Sequence, residues 1–374
     1  MRERIFEPLG MNETCIRRWD TDFMPNSATL HMSTPSGYEK AYLGTALTGE
    51  GGLVSTVDDM LRWLAHMDTP VVGSAATWET LKTPQTLANG ASTGYGLGLM
   101  CGRYRGFETL FHPGGVSGGN SQMLKVPAAG LDIVVLVNRH DVQAMTLAEK
   151  ILDACLPDLE PIKTPSSDPF ASGVFRSPTT GRVVQLFAKE GQQIASIDGT
   201  DMLVEPDDGG VLWPVGLFRH VKQAVTLAGG GAKPVSIRLS DFGNVDELVR
   251  EKAAEETNAS VIAGRYRADR PATEAMILET EDGPRLLTAG RFGSAVYPLE
   301  YLADGIWRAK PIRVMFLGGI LLFDGDGGAF HFSTFSTRTL TFRRDGAASA
   351  GGAALGMAKV FVDWPWCRFS VRAS

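Results

Sequence analysis

A weak internal repeat in the C-terminal half constrains the fold of this chain most strongly. Three short segments recur in the same order 91 to 94 residues further on, and their first copies lie at residues 173–176, 208–213 and 240–242. In the first pair, Gly173-Val174-Phe175-Arg176 resembles residues 264–267. Matches that keep their order and their spacing predict two copies of one structural unit.

Both copies have the pattern of all-β structure. Strand-length segments alternate with Gly, Pro and Asp turns, and helical periodicity nearly disappears. Each copy has the size of a small antiparallel barrel or sandwich, which we place at residues 169–256 and 257–345. A Pro-, Ser- and Asp-rich stretch predicts a linker at residues 159–168. Residues 346–374 begin with an Ala/Gly/Ser tract, and we expect a poorly ordered tail that is foreign to the parent fold.

Residues 1–158 mix helix and strand signals, so this part of the chain is predicted to be α+β. Ser55-Thr56-Val57-Asp58 fits a helix start, since apolar residues follow it at helical spacing. The β-branched run at residues 131–137 is typical of an interior strand. We also expect a strand pair at residues 95–100 and 122–126 and a closing helix at residues 146–155. Tyr38, Tyr42 and Trp63 are expected to pack in the core.

Charge and composition exclude several classes of function. The chain has 36 Lys and Arg against 42 Asp and Glu, a net charge of −6, which argues against a nucleic-acid partner. No apolar run reaches membrane-spanning length. The four cysteines and six histidines match no zinc, redox or paired-histidine spacing. We therefore predict no metal, no cofactor and no membrane partner.

The segment FHPGGVSGGN, residues 111–120, is the most informative for chemistry. Its glycines, flanked by strand-like sequence, indicate backbone brought close to a ligand. A backbone N–H beside such glycines can donate to an oxyanion. A glycine-rich hairpin with a structural histidine explains this segment about as well when it is considered alone.

Five motifs in order link this segment to a known family. Residues 5–14, 51–60, 95–99, 112–115 and 134–138 read IFEPLGMNET, GGLVSTVDDM, YGLGL, HPGG and VVLVN. Together they resemble the β-lactamase-related, penicillin-recognising serine hydrolases. The fourth motif is similar to the third active-site motif of that family, Lys-Thr-Gly or His-x-Gly. The resemblance implies part of a β-lactamase/transpeptidase-like antiparallel sheet with helices.

The form of the third motif refines the resemblance. His-x-Gly is more typical of D-aminopeptidases and some esterases than of β-lactamases. D-aminopeptidases of this family carry two antiparallel β-barrel domains after the catalytic domain, which fits the two β units. The resemblance therefore implies two lipocalin-like barrels at residues 169–256 and 257–345, after a hydrolase part at residues 1–158.

The resemblance also implies roles for particular residues. His112 takes the place of the basic residue beside the nucleophile, where it hydrogen-bonds the substrate or tunes the proton network; a structural histidine is the alternative. Gly114 permits close backbone approach. Gly115 offers its N–H to the oxyanion. Gly51 and Gly52 form a loop near the cleft, or else a plain turn before a helix.

Asp304 is a candidate substrate-binding residue in the second β unit. In D-aminopeptidases a loop of the last barrel reaches into the active site and helps to recognise the free amine of the substrate. A carboxylate suits that role because it pairs with an ammonium group. Asp208 holds the similar place in the first copy, which favours an ordinary turn at both positions.

Two motifs that the family mechanism needs do not occur in this sequence. No serine is followed by lysine at the third position after it, and no tyrosine is followed by Asn or Ser at the second. The nearest miss is Ser121 with Lys125. We expect both motifs upstream of Met1 in a longer parent enzyme, and we expect this chain alone to be inactive and its sheet to have an open apolar side.

The leading hypothesis is a serine hydrolase fragment. The parent enzyme cleaves an amide through a covalent acyl-enzyme and releases N-terminal D-residues or glycine from a small-molecule or short-peptide substrate. The alternatives are an esterase, DD-carboxypeptidase or β-lactamase of the same family, a non-catalytic remnant, or a binding module built from two barrels. A homodimer stays open, and a cytoplasmic location is favoured over a periplasmic one.

Overall fold

The computed structural model describes residues 1–19, 22–34, 36–42, 51–161, 170–216, 222–229, 232–252, 259–290, 293–311 and 318–345. The predicted tail at residues 346–374 and most of the predicted linker lie outside these residues. The chain divides into two compact units. One contains residues 1–180, 185–196 and 201–250, and the other contains residues 181–184, 197–200 and the chain from residue 251 onward.

The described residues among the first 156 form short strands, three α-helices and a four-stranded antiparallel sheet, which confirms the α+β prediction. Two short antiparallel pairs come first: β1 (Cys15–Ile16) with β4 (Leu53–Val54), and β2 (His31–Thr34) with β3 (Gly37–Lys40). The helices are α1 (Val57–His66), α2 (Ala75–Lys82) and α3 (Ala144–Cys155). The sheet runs in the order β5 (Met100–Tyr104), β6 (Phe107–Val116), β7 (Gly119–Val126) and β8 (Leu131–Val137).

Strand alternation places different residues of the sheet in two separate cores. On one face, Leu124 and Val126 pack with Leu152 of α3 in a cluster of buried apolar side chains. On the other face, Met123 and Val134 pack against the cluster that contains Leu64 of α1 and Trp78 of α2. The sheet is therefore covered by α3 on one side and by α1 and α2 on the other.

An apolar groove of about 570 Å³ borders the outer strand β8. Its lining includes Val57, Val134, Leu136, Leu147 and Ile151. Leu136 is 46% exposed and Ile151 is 39% exposed, which is high for large apolar side chains on a strand and a helix. The sheet thus leaves apolar surface open to solvent beside β8.

Helix α1 begins one residue later than the sequence pattern suggested. Thr56, not Ser55, is the N-cap, and its side chain accepts a hydrogen bond from the N–H of Asp59. The Asp59 carboxylate is buried and accepts from the Thr14 hydroxyl at 2.7 Å. Thr14 also contacts the Ser55 hydroxyl at 2.7 Å, so the first two family-like motifs meet in one hydrogen-bond network.

The strand expected at residues 95–100 is mostly a loop. Tyr95 and Met100 form an isolated bridge, and the continuous strand β5 begins only at Met100. Gly98 between them has φ of +96°, a left-handed conformation that reverses the chain and that glycine adopts without strain. The other strand of the predicted pair, residues 122–126, lies within β7, and the predicted closing helix, residues 146–155, lies within α3.

The first β unit is a closed eight-stranded antiparallel barrel. Its strands are β9 (Gly173–Arg176), β10 (Val183–Lys189), β11 (Gln192–Ile197), β12 (Thr200–Pro206), β13 (Leu212–Pro214), β14 (Gln223–Ala228), β15 (Ser236–Asp241) and β16 (Asn244–Arg250), with β9 closing the barrel between β16 and β10. Phe175, Met202 and Leu248 are fully buried. Alternating apolar side chains therefore fill a packed core.

The second β unit repeats this architecture. Its strands are β17 (Gly264–Asp269), β18 (Ala272–Leu278), β19 (Arg285–Gly290), β20 (Gly293–Ala303), β21 (Ile306–Ala309), β22 (Gly319–Phe323), β23 (Ala329–Thr334) and β24 (Leu340–Arg344), closed by pairing of β17 with β24. Phe330 and Phe342 stack at a centroid distance of 4.8 Å, with Tyr266 against Phe330. The two-barrel prediction is confirmed, and this core is rich in aromatic rings.

The second compact unit includes two short segments of the first barrel. Gly199, in the turn between β11 and β12, lies so close to Gly319 that a Cβ atom at Gly199 would be 2.7 Å from the Gly319 backbone. Beside it, the buried Asp198 carboxylate pairs with Arg182 at 2.9 Å and also with Arg338. Close backbone packing and a buried ion pair thus hold these segments within the unit.

Candidate functional site

The glycine-rich segment forms the end of β6 and its hairpin with β7. In the antiparallel register, His112 lies opposite Met123 and Gly114 lies opposite Ser121. Met123 packs on the α1 and α2 side, so alternation places His112, Gly114 and Ser121 on that same face. The hairpin thereby brings the predicted histidine, the predicted glycine and a serine hydroxyl together.

Both ring nitrogens of His112 have hydrogen-bond partners. Nδ1 is 2.7 Å from the carbonyl oxygen of Pro113, and Nε2 is 2.9 Å from the hydroxyl of Tyr95. The two aromatic rings also pack edge to face at a centroid distance of 5.8 Å. His112 is half-buried, and its imidazole is held in one orientation by three contacts.

Gly114 allows the close approach that the sequence predicted, but its neighbour is a side chain of the protein. A Cβ atom at Gly114 would lie 2.3 Å from the Ser121 hydroxyl oxygen. The space around Gly115 is open, since a Cβ atom there would meet nothing within 4 Å. Gly115 is exposed and accessible to a ligand.

One edge of β6 is open along the segment that carries these residues. Strand β5 pairs with β6 only from Phe107 to Phe111, whereas β7 pairs with it as far as Val116. Among the described residues, no strand covers the β5 side of residues 112–116. Alternate residues of an antiparallel strand turn their N–H groups away from the partner strand, and Pro113 has no N–H, so the N–H of Gly115 is the backbone donor that can face this edge. That geometry suits an anionic or carbonyl oxygen.

The tip of the hairpin is fixed against β2. The N–H of His31 donates to the carbonyl oxygen of Gly118 at 3.1 Å. Gly118 has φ of +80°, and a Cβ atom there would clash with Ala41 at 2.3 Å, so both the turn and the packing require glycine. A cleft of about 420 Å³ begins at this tip, and its lining includes Val116, Ser117, Phe23, Tyr42 and Lys40.

A polar cluster lies where β8 ends and α3 begins. Arg139 pairs with Asp141 at 2.8 Å and also donates to the hydroxyl of Tyr38. The hydrogen bond from Arg139 lowers the pKa of the Asp141 carboxyl to about 2. Asn120 of the hairpin accepts from the N–H of Ala144 at 2.6 Å and so caps the start of α3.

The remaining predicted site residues belong to other elements of the chain. Gly52 accepts from the N–H of Arg17 at 2.8 Å beside the β1–β4 pair, and Gly51 is an exposed turn residue just before β4, so a place for these glycines near the cleft stays a prediction. Asp304 is an exposed residue in the tight turn between β20 and β21, where Gly305 has φ of +67°. Its role in substrate binding stays a prediction.

The aromatic residues expected in the core differ in their surroundings. Trp63 packs against Trp78 at a centroid distance of 5.4 Å, as expected. The prediction was wrong for Tyr38, which is 50% exposed, and for Tyr42, which is 57% exposed. Tyr38 lies on the fully exposed strand β3, where its ring packs under the Arg139 guanidinium and leaves the hydroxyl to hydrogen-bond.

Sequence reasoning missed two residues of the site, Tyr95 and Ser121. Tyr95 was part of a quoted motif, but its contact with His112 depends on a loop that periodicity does not describe. Ser121 was noticed only for its spacing to Lys125, yet alternation along β7 puts it on the His112 face. Within the described residues, no cluster of His, Cys, Asp or Glu could hold a metal ion. None of the helices in the described part of the chain is long and apolar enough to cross a membrane.

Part of the chain is similar to proteins of a known family. Residues 1–156 match the family model described as Beta-lactamase. These residues are therefore similar to the β-lactamase-related, penicillin-recognising serine hydrolases. The relatives that the chain matches include D-aminopeptidases. It is 26% identical over 264 residues to a D-aminopeptidase of Gluconobacter oxydans, covering 70% of this chain and 46% of that protein.

A second relative extends the similarity through the barrels. The chain is 25% identical over 320 residues to a D-aminopeptidase of Brucella ovis, covering 84% of this chain and 59% of that protein. The chain thus spans about half the length of the curated relatives it matches. Among solved structures, the octameric penicillin-binding protein homologue from Pyrococcus abyssi aligns at a TM-score of 0.38 and 16% identity, covering 66% of this chain and 58% of that one.

Proposed function

We propose that these residues form part of a serine hydrolase that cleaves an amide bond through a covalent acyl-enzyme and releases N-terminal D-residues or glycine. The observation that carries the proposal is the position of His112. It lies on a glycine-rich strand whose outer edge is open, within residues that match the Beta-lactamase family model. The D-aminopeptidase relatives support the choice of substrate class.

In this proposal the nucleophile is none of the serines in these 374 residues, because none of them belongs to a Ser-x-x-Lys motif. A Ser-x-x-Lys motif supplies the serine and its activating lysine in enzymes of this kind. This chain would contribute one wall of the cleft. Along that wall, the N–H of Gly115 donates to the developing oxyanion, and this is worth several kcal/mol in comparable sites, roughly 2.7–4 kcal/mol for one donor.

The barrels are assigned a smaller part in the proposed reaction. Their cores are filled by buried side chains such as Phe175 in the first barrel and Phe330 in the second. This packing favours the hydrolase over a module that binds its ligand inside a barrel. Asp304, on an exposed turn, is proposed to pair with the ammonium group of the substrate. The homodimer and the cytoplasmic location also stay predictions.

The first experiment compares substrates in the whole protein. Hydrolysis of D-alanyl amide, L-alanyl amide and a simple ester is measured for the unaltered enzyme, for His112→Ala and for His331→Ala as a control histidine in the second barrel. We expect a preference for the D-amide and a loss of 100-fold or more in kcat/KM only for His112→Ala, which is the order of effect for a positioned acid–base group. Unchanged rates in His112→Ala would refute the site.

A second experiment uses covalent labelling by a fluorescent penicillin or phosphonate. We expect the whole protein to be labelled at one serine, and we expect the 374-residue chain alone to stay unlabelled. Stoichiometric labelling of the 374-residue chain would show that the nucleophile is one of its own serines. A preference for esters over the D-amide would favour the esterase alternative.

A further inference from the structure

The motif Tyr95-Gly96-Leu97-Gly98 has no role in the proposed function so far. It lies in the loop between α2 and β5, and its first residue contacts His112 across 17 positions of sequence. The phenol oxygen of Tyr95 is 2.9 Å from Nε2 of the imidazole. The motif therefore connects the loop between α2 and β5 to the His112 imidazole.

The glycines of the motif explain how Tyr95 reaches that position. A Cβ atom at Gly96 would lie 2.0 Å from the carbonyl oxygen of Leu81, at the end of α2, so only glycine lets the loop pass there. The N–H of Leu97 then donates to that same oxygen at 3.2 Å. Gly98, in its left-handed conformation, returns the chain to β5.

The main chain of Tyr95 is also held firmly. Its carbonyl oxygen accepts from the N–H of Gln85 at 2.8 Å and from the hydroxyl of Thr93 at 2.9 Å. Its N–H donates back to that hydroxyl at 3.1 Å. With backbone and ring both held, the Tyr95 hydroxyl oxygen stays within hydrogen-bond distance of His112.

The two hydrogen bonds of His112 then determine where its proton resides. The Pro113 carbonyl oxygen can only accept, so Nδ1 at 2.7 Å must carry the hydrogen. In the neutral ring Nε2 is then a bare lone pair, and the Tyr95 hydroxyl must donate to it. The opposite tautomer would leave Nδ1 facing the carbonyl oxygen without a hydrogen.

We propose that Tyr95 is a positioning residue that holds His112 in the Nδ1–H tautomer and keeps its Nε2 lone pair hydrogen-bonded and oriented. Its relevance to turnover rests on the proposed function, but the tautomer itself does not. A ligand that contacts Nε2 must displace or share the Tyr95 hydroxyl. The loop carrying the glycine motif thereby controls how the imidazole meets a ligand.

The test reads the ring nitrogens directly. The full 374-residue chain is labelled with ¹⁵N-histidine, the His112 signals are assigned with His112→Gln, and long-range ¹H–¹⁵N spectra are recorded at pH 8. We expect Nδ1 of His112 to have the shift of a protonated nitrogen and Nε2 that of an unprotonated one. In Tyr95→Phe, the Nε2 signal moves to higher frequency, as a lone pair without a donor does, while Nδ1 stays in place.

Tyr104→Phe is the matched control, because the Tyr104 hydroxyl donates to Asp153 at 2.8 Å and not to His112. We expect Tyr104→Phe to leave both His112 nitrogen signals unchanged. A proton on Nε2 in the unaltered chain would overturn the proposal, even if a variant failed to fold. So would an unmoved Nε2 signal in folded Tyr95→Phe. The spectra are recorded without substrate, so they test the tautomer independently of the proposed function. If the spectra are as expected but no substrate is hydrolysed in the other assay, only the proposed function is rejected.

Discussion

At the scale of single residues, the site depends on contacts that one added methyl group can disturb. Gly114 and Gly115 are adjacent on β6, but only the first has a close neighbour, the Ser121 hydroxyl. Their identical chemistry and different surroundings make them a matched pair. The difference lets packing against Ser121 be separated from any general effect of replacing a strand glycine.

Gly114→Ala is expected to lower the free energy of unfolding by about 1 kcal/mol, because Ser121 must leave its rotamer to avoid the new Cβ atom. Adding Ser121→Ala to Gly114→Ala should recover the lost stability, since the new Cβ atom at position 114 would lie an ordinary 3.7 Å from the Cβ atom at position 121. Gly115→Ala is the control and should be neutral. Urea unfolding of the native chain, the two single glycine variants and the double variant measures these differences. Equal losses of stability in Gly114→Ala and Gly115→Ala would contradict the packing argument.

Tyr104 gives a prediction for alkaline pH. Burial raises the pKa of Tyr104 from its usual 10 to about 12, and the hydrogen bond to Asp153 adds to the shift. The unfolded chain therefore releases this proton before the folded chain does, so stability falls as pH rises from 10 toward 12. Between pH 9 and pH 11, the native chain should lose about 1.4 kcal/mol more than Tyr104→Phe does.

Urea titrations at the two pH values measure this difference, and absorbance of tyrosinate follows the ionisation independently. Each chain is compared with itself at pH 9, so the stability lost through the missing hydroxyl cancels. Parallel pH profiles for the native chain and Tyr104→Phe would show that Tyr104 ionises as easily in the folded state as in the unfolded one.

At the scale of elements, helix α1 is attached to the preceding segments through one buried carboxylate. Asp59 is 1% exposed and accepts from the Thr14 hydroxyl, from the N–H of Glu13 at 2.9 Å and from Arg62 at 2.8 Å. These donors come from a segment more than 40 residues earlier and from the next turn of the helix. The carboxylate therefore joins α1 to the segment before β1.

Asp59→Ala should lower the free energy of unfolding by about 3 kcal/mol, because buried donors lose their acceptor. Asp58 is the control: it lies one position earlier in the same helical turn but is exposed. Asp58→Ala should lower the free energy of unfolding by only about 0.3–1 kcal/mol, through the helix dipole. Thermal unfolding of both variants tests this, and similar losses would argue against the network.

At the scale of the whole molecule, the second compact unit contains a buried ion pair between distant parts of the chain. Asp198 is 1% exposed, and Arg182 and Arg338 share its carboxylate. Asp198 has φ of +48°, a left-handed conformation that asparagine also tolerates. Replacement by asparagine therefore removes the charge and leaves the backbone undisturbed.

Asp198→Asn should destabilise the unit by about 3–5 kcal/mol, because the buried Arg182 guanidinium loses its counter-charge. Urea unfolding followed by tryptophan fluorescence reports the loss, since Trp307 is buried in this unit. Glu190→Gln, an exposed turn residue with φ of +53°, is the control and should unfold like the native chain. A neutral Asp198→Asn would mean that the two arginines find other partners.

The sequence by itself determined the elements with strong local signals. The run at residues 131–137 became β8, the repeat became two closed barrels, and the ordered motifs indicated the family. These features could be predicted because alternation, turn residues and fixed spacing are local properties of the chain. The same signals placed His112 and Gly114 on one strand.

Only the tertiary structure decided which side chains meet. The contact of Tyr95 with His112 depends on a glycine loop that folds against α2, and the contact of Ser121 with Gly114 depends on the strand register. Thr56 is likewise the N-cap of α1, while the neighbouring Ser55 hydroxyl contacts Thr14, 41 residues earlier. Such contacts join residues that no local pattern relates, because packing and register are set by the whole fold.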